Sequence, residues 1–123
     1  MYKFEKLEVY QLALDYIDQI YVIADKLPRN EAYNLGSQIT RAATSIALNI
    51  AEGSTGQTDA EQGRFLSMAV RSLLETIACQ HIIQRRGYTK DNDLLERLDT
   101  SGKTLARKLQ AMRKALTKEK AKR

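Results

Sequence analysis

The stretch QITRAATSIALNIAEG, from Gln38 to Gly53, decides the fold. At about 100° per residue, its side chains separate by chemistry around a helix axis. One apolar face consists of Ile39, Ala42, Ala43, Ile46 and Ile50. A narrow polar stripe beside that face consists of Gln38, Arg41, Ser45, Asn49 and Glu52. Because so little of this helix is charged, the pattern predicts packing on more than one side.

The residues after this helix predict a turn and a long third helix. Gly53 predicts the end of the second helix, since glycine accepts the left-handed conformation that often closes a helix. Thr58 and Glu61 have the spacing of a capping box and predict where helix three begins. That helix extends to about Arg86, and Gly87 predicts its end. Its apolar positions form two adjacent lines, Phe65, Ala69, Ser72, Thr76, Cys79 and Ile83 beside Leu66, Leu73 and Ile77.

The first and fourth helices are predicted from apolar residues that alternate spacings of three and four. Helix one is predicted from Glu5 to Lys26, because Pro28 cannot continue a helix. Its inward line is predicted to be Tyr10, Ala13, Ile17, Ile20, Ala24 and Leu27. Helix four is predicted to begin near Asp91. Its inward line is predicted to be Leu95, Leu98, Gly102, Leu105, Leu109, Met112 and Leu116.

Four helices of about 20 residues joined by short turns predict an all-α protein, an antiparallel up-and-down four-helix bundle. The bundle domain is predicted over residues 1–116 and a basic, frayed C-terminal tail over residues 117–123. Ile46 and Leu105 are predicted to be buried. No stretch approaches the ~18 apolar residues of a membrane span, and the N-terminus lacks the apolar region of a signal peptide. We therefore expect a cytoplasmic protein with no membrane partner.

The polar stripe of the second helix is predicted to be a structural network, since a buried charge is costly unless it is paired. Glu75 on helix three is the predicted partner of Arg41, and Arg71 is a rival partner for Glu75. Asn49 and Glu52 are expected to bond with the backbone or with neighbouring side chains. A ligand or nucleic-acid site on the stripe is the alternative. The predicted network consists of Gln38, Arg41, Ser45, Asn49, Glu52 and Glu75.

The basic residues are concentrated at the C-terminal end. Residues 1–102 carry 11 Lys and Arg against 14 Asp and Glu, whereas residues 103–123 carry nine against one. Such a segment suits nucleic-acid binding through phosphate neutralisation, with a solvated tail or attraction to a membrane surface as alternatives. No aromatic residue is interleaved, so base stacking is not indicated. The candidate nucleic-acid-binding residues are Arg97, Lys103, Arg107, Lys108, Arg113, Lys114, Lys118, Lys120, Lys122 and Arg123.

The sequence lacks the residue patterns that we would expect for catalysis or metal binding. Cys79 and His81 lie two residues apart, about 200° around a helix, so they do not form a nucleophile–base pair. The chain has no Glu-x-x-His of the kind used in di-iron bundles and no glycine-rich phosphate loop. We therefore expect no enzyme, no metal, no cofactor and no small-molecule substrate.

The second helix resembles a known family. Arg41-Ala42, Ser45-Ile46 and the run from Asn49 to Gly53 are similar to the RAxxSIxxNIAEG signature of the 23S rRNA-intervening sequence proteins, also called four helix bundle proteins. Further matches, in order, are Phe4, Leu7, Leu27-Pro28, Gln38, Phe65-Leu66, Ser72-Leu73, Glu75 and Gly87-Tyr88. The resemblance covers about residues 4–110. Family members often have proline after the Ser-Ile pair, where this chain has Ala47.

The resemblance implies a four-helix bundle that assembles as a homopentamer, and it does not imply an enzyme. A related group serves as accessory subunits of diversity-generating retroelements, in which a basic pentamer contacts reverse transcriptase and RNA. The leading hypothesis is therefore a non-catalytic homo-oligomer that binds RNA, DNA or an RNA-handling protein through its basic surface. The alternative is a purely structural or protein-interaction module whose tail is solvated.

Overall fold

A computed structural model describes the backbone of residues 1–56 and 58–122 and the side chains of residues 1–56 and 58–117. Four long helices account for most of this part of the chain, and none of it forms a strand. The helices are α1 (Glu8–Asp25), α2 (Ser37–Ser54), α3 (Asp59–Arg86) and α4 (Asn92–Lys122). Short 3₁₀ turns at Lys3–Lys6 and Arg29–Glu31 and a π turn at Ala32–Gly36 precede α1 and α2. The predicted all-α class is confirmed.

The helices alternate in direction around a single core. Each helix packs on its neighbours along the chain, and α1 also packs on α4. The contacts between α1 and α4 show their opposite directions, because Glu8 pairs with Lys108 whereas Lys26 Nζ lies 3.8 Å from Asp91 Oδ2. The expected up-and-down four-helix bundle is therefore the fold. No helix in the described chain combines the length and apolar composition needed to cross a membrane.

The core follows the predicted lines closely in α2 and less closely in α1. The apolar face predicted for α2 is buried, and Ile46 and Leu105 are buried as expected. In α1, however, the most deeply buried line consists of Val9, Ala13, Tyr16, Ile20 and Ile23. The remaining residues predicted for that line are only partly buried, and they are Tyr10, Ile17, Ala24 and Leu27. The buried face of α1 is therefore rotated by part of a helical turn from the predicted face.

Tyr16 brings a polar group into the centre of the bundle. Gln80 Nε2 donates a hydrogen bond to Tyr16 Oη at 2.7 Å, and Tyr16 Oη lies 2.8 Å from Thr76 Oγ1. Because Thr76 Oγ1 donates at 2.6 Å to the carbonyl oxygen of Leu73, Tyr16 acts as the donor to Thr76. The ring packs against Gly102, where a Cβ atom would lie 3.5 Å from it, at ordinary van der Waals contact. This network joins α1 to α3 across the core.

The junction between α2 and α3 differs from the prediction. Gly53 lies inside α2 and is buried, and the only positive-φ residue in the described chain is Gly87. A Cβ atom at Gly53 would lie 3.0 Å from Cβ of Phe65, which is closer than carbon atoms normally approach. Glycine at position 53 therefore serves the close approach of the two helices and not a left-handed cap.

The other helix ends agree with the predicted capping residues. Thr58 Oγ1 accepts a hydrogen bond from the backbone N–H of Glu61 at 3.0 Å and so caps the beginning of α3. Gly87 adopts φ of 69° and closes α3. Asp91 Oδ1 accepts a hydrogen bond from the backbone N–H of Leu94 and caps α4. At the same end of the bundle, the hydroxyl of Tyr88 donates to Glu31 Oε2 at 2.7 Å and ties the two connections together.

The fourth helix continues to Lys122, past the predicted domain boundary at Leu116. Leu116 is partly buried against the core and is the last apolar residue of the predicted inward line. A frayed tail was predicted because the apolar pattern ends at Leu116. The backbone nevertheless stays helical for six more residues.

Candidate nucleic-acid interface

The charge on α4 changes along its length. Its first half lies beside carboxylates, and a groove of about 710 Å³ there is lined by Arg97 together with Asp91, Asp93 and Glu96. These carboxylates offset the charge of Arg97 and disfavour the approach of a phosphate. Arg97 therefore does not belong to a positive surface, contrary to its place among the predicted nucleic-acid-binding residues.

Two more of the predicted cations already have partners. Lys103 Nζ lies 3.0 Å from Asp99 Oδ2, one turn earlier on the same helix. Lys108 Nζ pairs with Glu8 at the beginning of α1. Exposed pairs of this kind contribute only about 0–1 kcal/mol to stability, so a phosphate can compete for the lysines. Until it does, each lysine adds little to the local positive potential.

From its midpoint onward, α4 carries cations without such compensation. Arg107 and Lys114 are exposed, and no ion pair within the described side chains includes either of them. Their spacing of seven residues, two helical turns, places both on one side of α4. Lys103 lies on the same line, four residues before Arg107 and about 16 Å along the axis from Lys114. This line is the basic track of α4.

A groove beside the track brings in a second helix. It has a volume of about 660 Å³ and separates the first two turns of α3 from the last turns of α4. Because α3 and α4 are antiparallel, the beginning of one helix lies beside the end of the other. The groove is lined by Asp59, Ala60, Gly63, Arg64, Ser67, Gln110, Arg113, Lys114, Leu116 and Thr117. We call it the α3–α4 groove.

The arginines of the α3–α4 groove come from different helices. Arg64 on α3 is exposed, and its guanidinium carbon lies 5.5 Å from the ring centre of Phe65. Arg113 Nη1 on α4 donates a hydrogen bond of 2.7 Å to Gln110 Oε1. Both contacts position a guanidinium without neutralising it. Arg64 was not predicted, since it lies far in sequence from the basic C-terminal segment.

The remaining groove residues determine its shape and its balance of charge. Ala60, Gly63 and Ser67 recur at spacings of three and four on α3, so the wall on that side is low. Nothing lies within 4 Å of where a Cβ atom at Gly63 would be. Asp59 contributes one carboxylate against the three cations Arg64, Arg113 and Lys114. The groove therefore keeps a net positive charge.

The predicted basic residues of the last segment cannot all be placed in this site. The side chains of Lys118, Lys120, Lys122 and Arg123 lie outside the described residues. Their contribution to a nucleic-acid interface stays a prediction. The backbone of α4 runs from the α3–α4 groove directly into this segment.

The predicted ion pair between Arg41 and Glu75 is wrong. Both residues are exposed, and no salt bridge joins them. Arg41 instead donates a hydrogen bond of 2.9 Å from Nη2 to Ser37 Oγ, one turn earlier on α2. The pair was predicted because the helix has few charges, but Arg41 and Glu75 both lie on the outside of the bundle, where water solvates them.

Part of the predicted polar network does form. Asn49 Nδ2 donates to the carbonyl oxygen of Ser45 at 2.9 Å and to its hydroxyl at 3.0 Å. Ser72 Oγ donates to the same hydroxyl at 3.0 Å and so links α3 to α2. Gln38 bonds to Asn34 within the preceding turn, whereas Glu52 is exposed and no hydrogen bond involves its carboxylate. The stripe is thus a set of local bonds with a single link between helices.

The residues considered for catalysis are far from this surface. Cys79 is buried, and burial together with the nearby charge of Glu75 raises the pKa of its thiol. A raised pKa disfavours the thiolate, which is the form that reacts. Among the described side chains, no group of three or more His, Cys, Asp or Glu could hold a metal ion.

Comparisons with known proteins agree with this architecture. The family model described as 23S rRNA-intervening sequence protein matches residues 5–112. None of the curated proteins compared with the chain matches it.

Among solved structures, the fold is similar to that of a protein of unknown function from the S23 ribosomal protein family of Bacteroides thetaiotaomicron, a crystal structure at 1.70 Å resolution. The superposition has a TM-score of 0.78 and covers 86% of this chain and 98% of the other. The two sequences are 22% identical, so the likeness concerns the fold alone.

Proposed function

Because the chain belongs to the 23S rRNA-intervening sequence protein family, we propose that it is a non-catalytic protein that binds RNA at the basic end of its bundle. One observation carries this proposal. Arg64, Arg113 and Lys114 line the α3–α4 groove at one end of the bundle, and Arg107 lies two helical turns before Lys114 on the basic track of α4. The positive segment beyond Thr117 continues from that end.

The chemistry of this surface suits the phosphate backbone more than the bases. Arginine and lysine neutralise phosphates and release counterions, which gives affinity that is largely independent of sequence. No aromatic side chain is among the described residues that line the α3–α4 groove, so they offer no ring on which a base can stack. The expected binding is therefore sensitive to salt and tolerant of sequence.

An electrophoretic shift assay with the full-length protein and a structured RNA tests the proposal. We expect a complex at about 50 mM salt that weakens steeply towards about 200 mM, because each phosphate contact adds to the salt dependence. Full-length protein that forms no complex at about 50 mM salt would exclude nucleic-acid binding.

Two charge-neutralising variants locate the surface. Arg107→Gln with Lys114→Gln should weaken binding and reduce the slope of log K against log salt by about 1.4–1.8. Arg85→Gln with Lys90→Gln removes two exposed charges near the other end of the bundle and serves as the matched control. Equal losses in both double variants would show that only net charge matters.

A chain ending at Thr117 tests the contribution of the last six residues. It keeps every described side chain of the α3–α4 groove and Leu116, which packs on the core. We expect weaker RNA binding with an unchanged unfolding transition, because the removed segment carries four cations and one carboxylate. Unchanged RNA affinity would show that the last six residues do not contribute to RNA binding.

We also propose that the protein forms a homo-oligomer. Five subunits is the number that the family resemblance implies. Support comes from large apolar side chains on the outside of α1 and α2, where Tyr21 is 48% and Leu48 is 60% exposed. These two residues border a groove of about 390 Å³ that also includes Arg41 and Ser45 of the polar stripe. Apolar surface of this kind usually marks an interface.

A protein-interaction module without RNA binding is the second candidate. The exposed face of α3 carries Met68, Leu74 and Ile82, three apolar side chains that a partner could cover. The two functions differ in the shift assay, since a module of this kind does not retain RNA at low salt.

A further inference from the structure

We propose that the α3–α4 groove holds the sugar–phosphate backbone of a single RNA strand, with Arg64 as its anchor and the bases directed towards solvent. This inference rests on the proposed RNA binding and specifies which part of the nucleic acid enters the groove. It also assigns a binding role to α3, a helix that contributes nothing to the basic C-terminal segment.

The first argument is the placement of the cations. Arg64 stands on the α3 wall, whereas Arg113 and Lys114 stand on the α4 wall. A phosphate between the walls therefore meets positive charge from two sides. On the basic track of α4, by contrast, it meets charge from one helix only. Guanidinium groups form paired hydrogen bonds with phosphate oxygens, which makes arginine well suited to this position. The carboxylate of Asp59 offsets only part of this charge.

The second argument is the shape of the groove. Its volume of about 660 Å³ is well above that needed for one phosphate group and falls within the range of sites for larger ligands. On the α3 side, Ala60, Gly63 and Ser67 leave the helix backbone nearly uncovered. A flexible strand can approach closely there, and the hydroxyls of Ser67 and Thr117 add hydrogen-bonding groups.

The third argument separates a single strand from a duplex. A duplex holds its phosphates on a stiff, convex surface. Such a surface can contact Arg107 and Lys114 on the basic track of α4, but it does not bend into a groove between two helices. A single strand follows the groove floor. Because no ring is available for stacking, recognition is through the backbone and the bases stay outside.

Fluorescence anisotropy with an eight-residue oligouridylate at about 50 mM salt tests the anchor. Arg64→Gln should weaken binding about tenfold, which corresponds to the loss of one charge-assisted contact. Arg85→Gln removes the same charge from the same helix, 21 residues or about 31 Å away, and should change the affinity less than twofold. Circular dichroism of both variants checks that the bundle is folded.

A second pair of variants tests the groove without removing a cation. Gly63→Glu places a carboxylate where no atom lies within 4 Å of the new Cβ, so it adds negative charge without a steric clash. It should reduce binding of the oligouridylate at least tenfold. Gln84→Glu adds the same charge to an exposed position 21 residues further along α3 and should have little effect.

The outcomes distinguish this inference from the function on which it rests. RNA binding by the parent protein that neither Arg64→Gln nor Gly63→Glu weakens would overturn the groove and leave the proposed function standing. No RNA binding by the parent protein would remove both.

Two further ligands test what enters the groove. A blunt duplex that binds as tightly as the oligouridylate, with the same dependence on Arg64, would overturn the choice of a single strand. Displacement of the oligouridylate by micromolar tripolyphosphate would assign the groove to free polyphosphates and overturn the RNA assignment. We expect the duplex to bind more weakly and tripolyphosphate to compete only at millimolar concentration.

Discussion

A directional chain of hydrogen bonds crosses the core, from Gln80 through Tyr16 and Thr76 to the carbonyl of Leu73. Tyr16 is fully buried, and its hydroxyl both accepts and donates. The spacing of apolar residues did not predict this role, because several adjacent lines of α1 are apolar enough to face a core. The network selects one of them, since only that orientation satisfies the amide of Gln80.

Tyr16→Phe should destabilise the bundle by about 1–3 kcal/mol, because it leaves the buried amide of Gln80 without its partner. Tyr16→Phe combined with Gln80→Leu should recover much of this loss, since both polar groups are then removed. Urea unfolding followed by circular dichroism measures the three free energies. A double variant no more stable than the single one would show that the network does not act as a unit.

Alkaline pH provides a separate test of the same residue. Burial raises the pKa of the Tyr16 hydroxyl above its usual value of 10.0, and its hydrogen bonds with Thr76 and Gln80 oppose only part of this effect. The folded state therefore holds the proton more tightly than the unfolded chain. The resulting stability is complete below about pH 10 and is lost as the pH rises through the higher folded value.

Between about pH 10 and pH 11, the parent protein should thus lose more stability than Tyr16→Phe does. Cys79, whose pKa is also raised by burial, is present in both proteins, so the difference between them reports mainly on Tyr16. Unfolding free energies that fall in parallel would contradict the assignment to Tyr16.

Arg41 shows where inference from an uncharged neighbourhood fails. We expected α2, a helix with few charged residues, to bury its charged side chains. Which face of α2 is buried, however, depends on how the helix packs on its neighbours. Arg41→Met and Glu75→Leu should each change the free energy of unfolding by less than about 0.5 kcal/mol, since both side chains are exposed. A loss of several kcal/mol in dilute protein would contradict this exposure.

At the scale of the helix, the sequence predicts type and number well and function less well. Proline, capping residues and apolar spacing are local properties, so Pro28, Thr58 and Gly87 mark three helix ends correctly. The α3–α4 groove is a property of two helices together. Arg64 enters the site because antiparallel packing puts the beginning of α3 beside the end of α4, and nothing local to residue 64 indicates this.

Two glycines in successive helices give a matched test of helix packing. Gly53→Ala should destabilise the bundle by about 1–3 kcal/mol, because its Cβ would be only 3.0 Å from that of Phe65. Gly63→Ala should stabilise it by about 0.5–1 kcal/mol, because the new methyl group meets open space and alanine favours a helix. Urea midpoints that shift in the same direction would contradict the close approach of α2 and α3.

At the scale of the whole molecule, the exposed apolar side chains of α1 and α2 determine the predicted assembly. Leu48→Glu should convert the proposed oligomer to monomer, since a charge would be desolvated at the interface. Light scattering at micromolar concentration measures the change. Leu74→Glu on α3, an equally exposed leucine in another face, is the control. A parent protein that is monomeric at this concentration would exclude the assembly.

The carboxylates beside the first half of α4 and the cations beside its last turns make the surface along this helix a lengthwise electric dipole. A polyanion diffusing towards it is repelled from one pole and drawn to the other before any atoms touch, so encounters are already oriented. Ionic strength then governs how often a collision is productive, whereas short-range contacts govern how long the complex lasts. Neutralising Asp93 and Glu96, far from the basic pole, should therefore alter association kinetics and leave the dissociation rate unchanged.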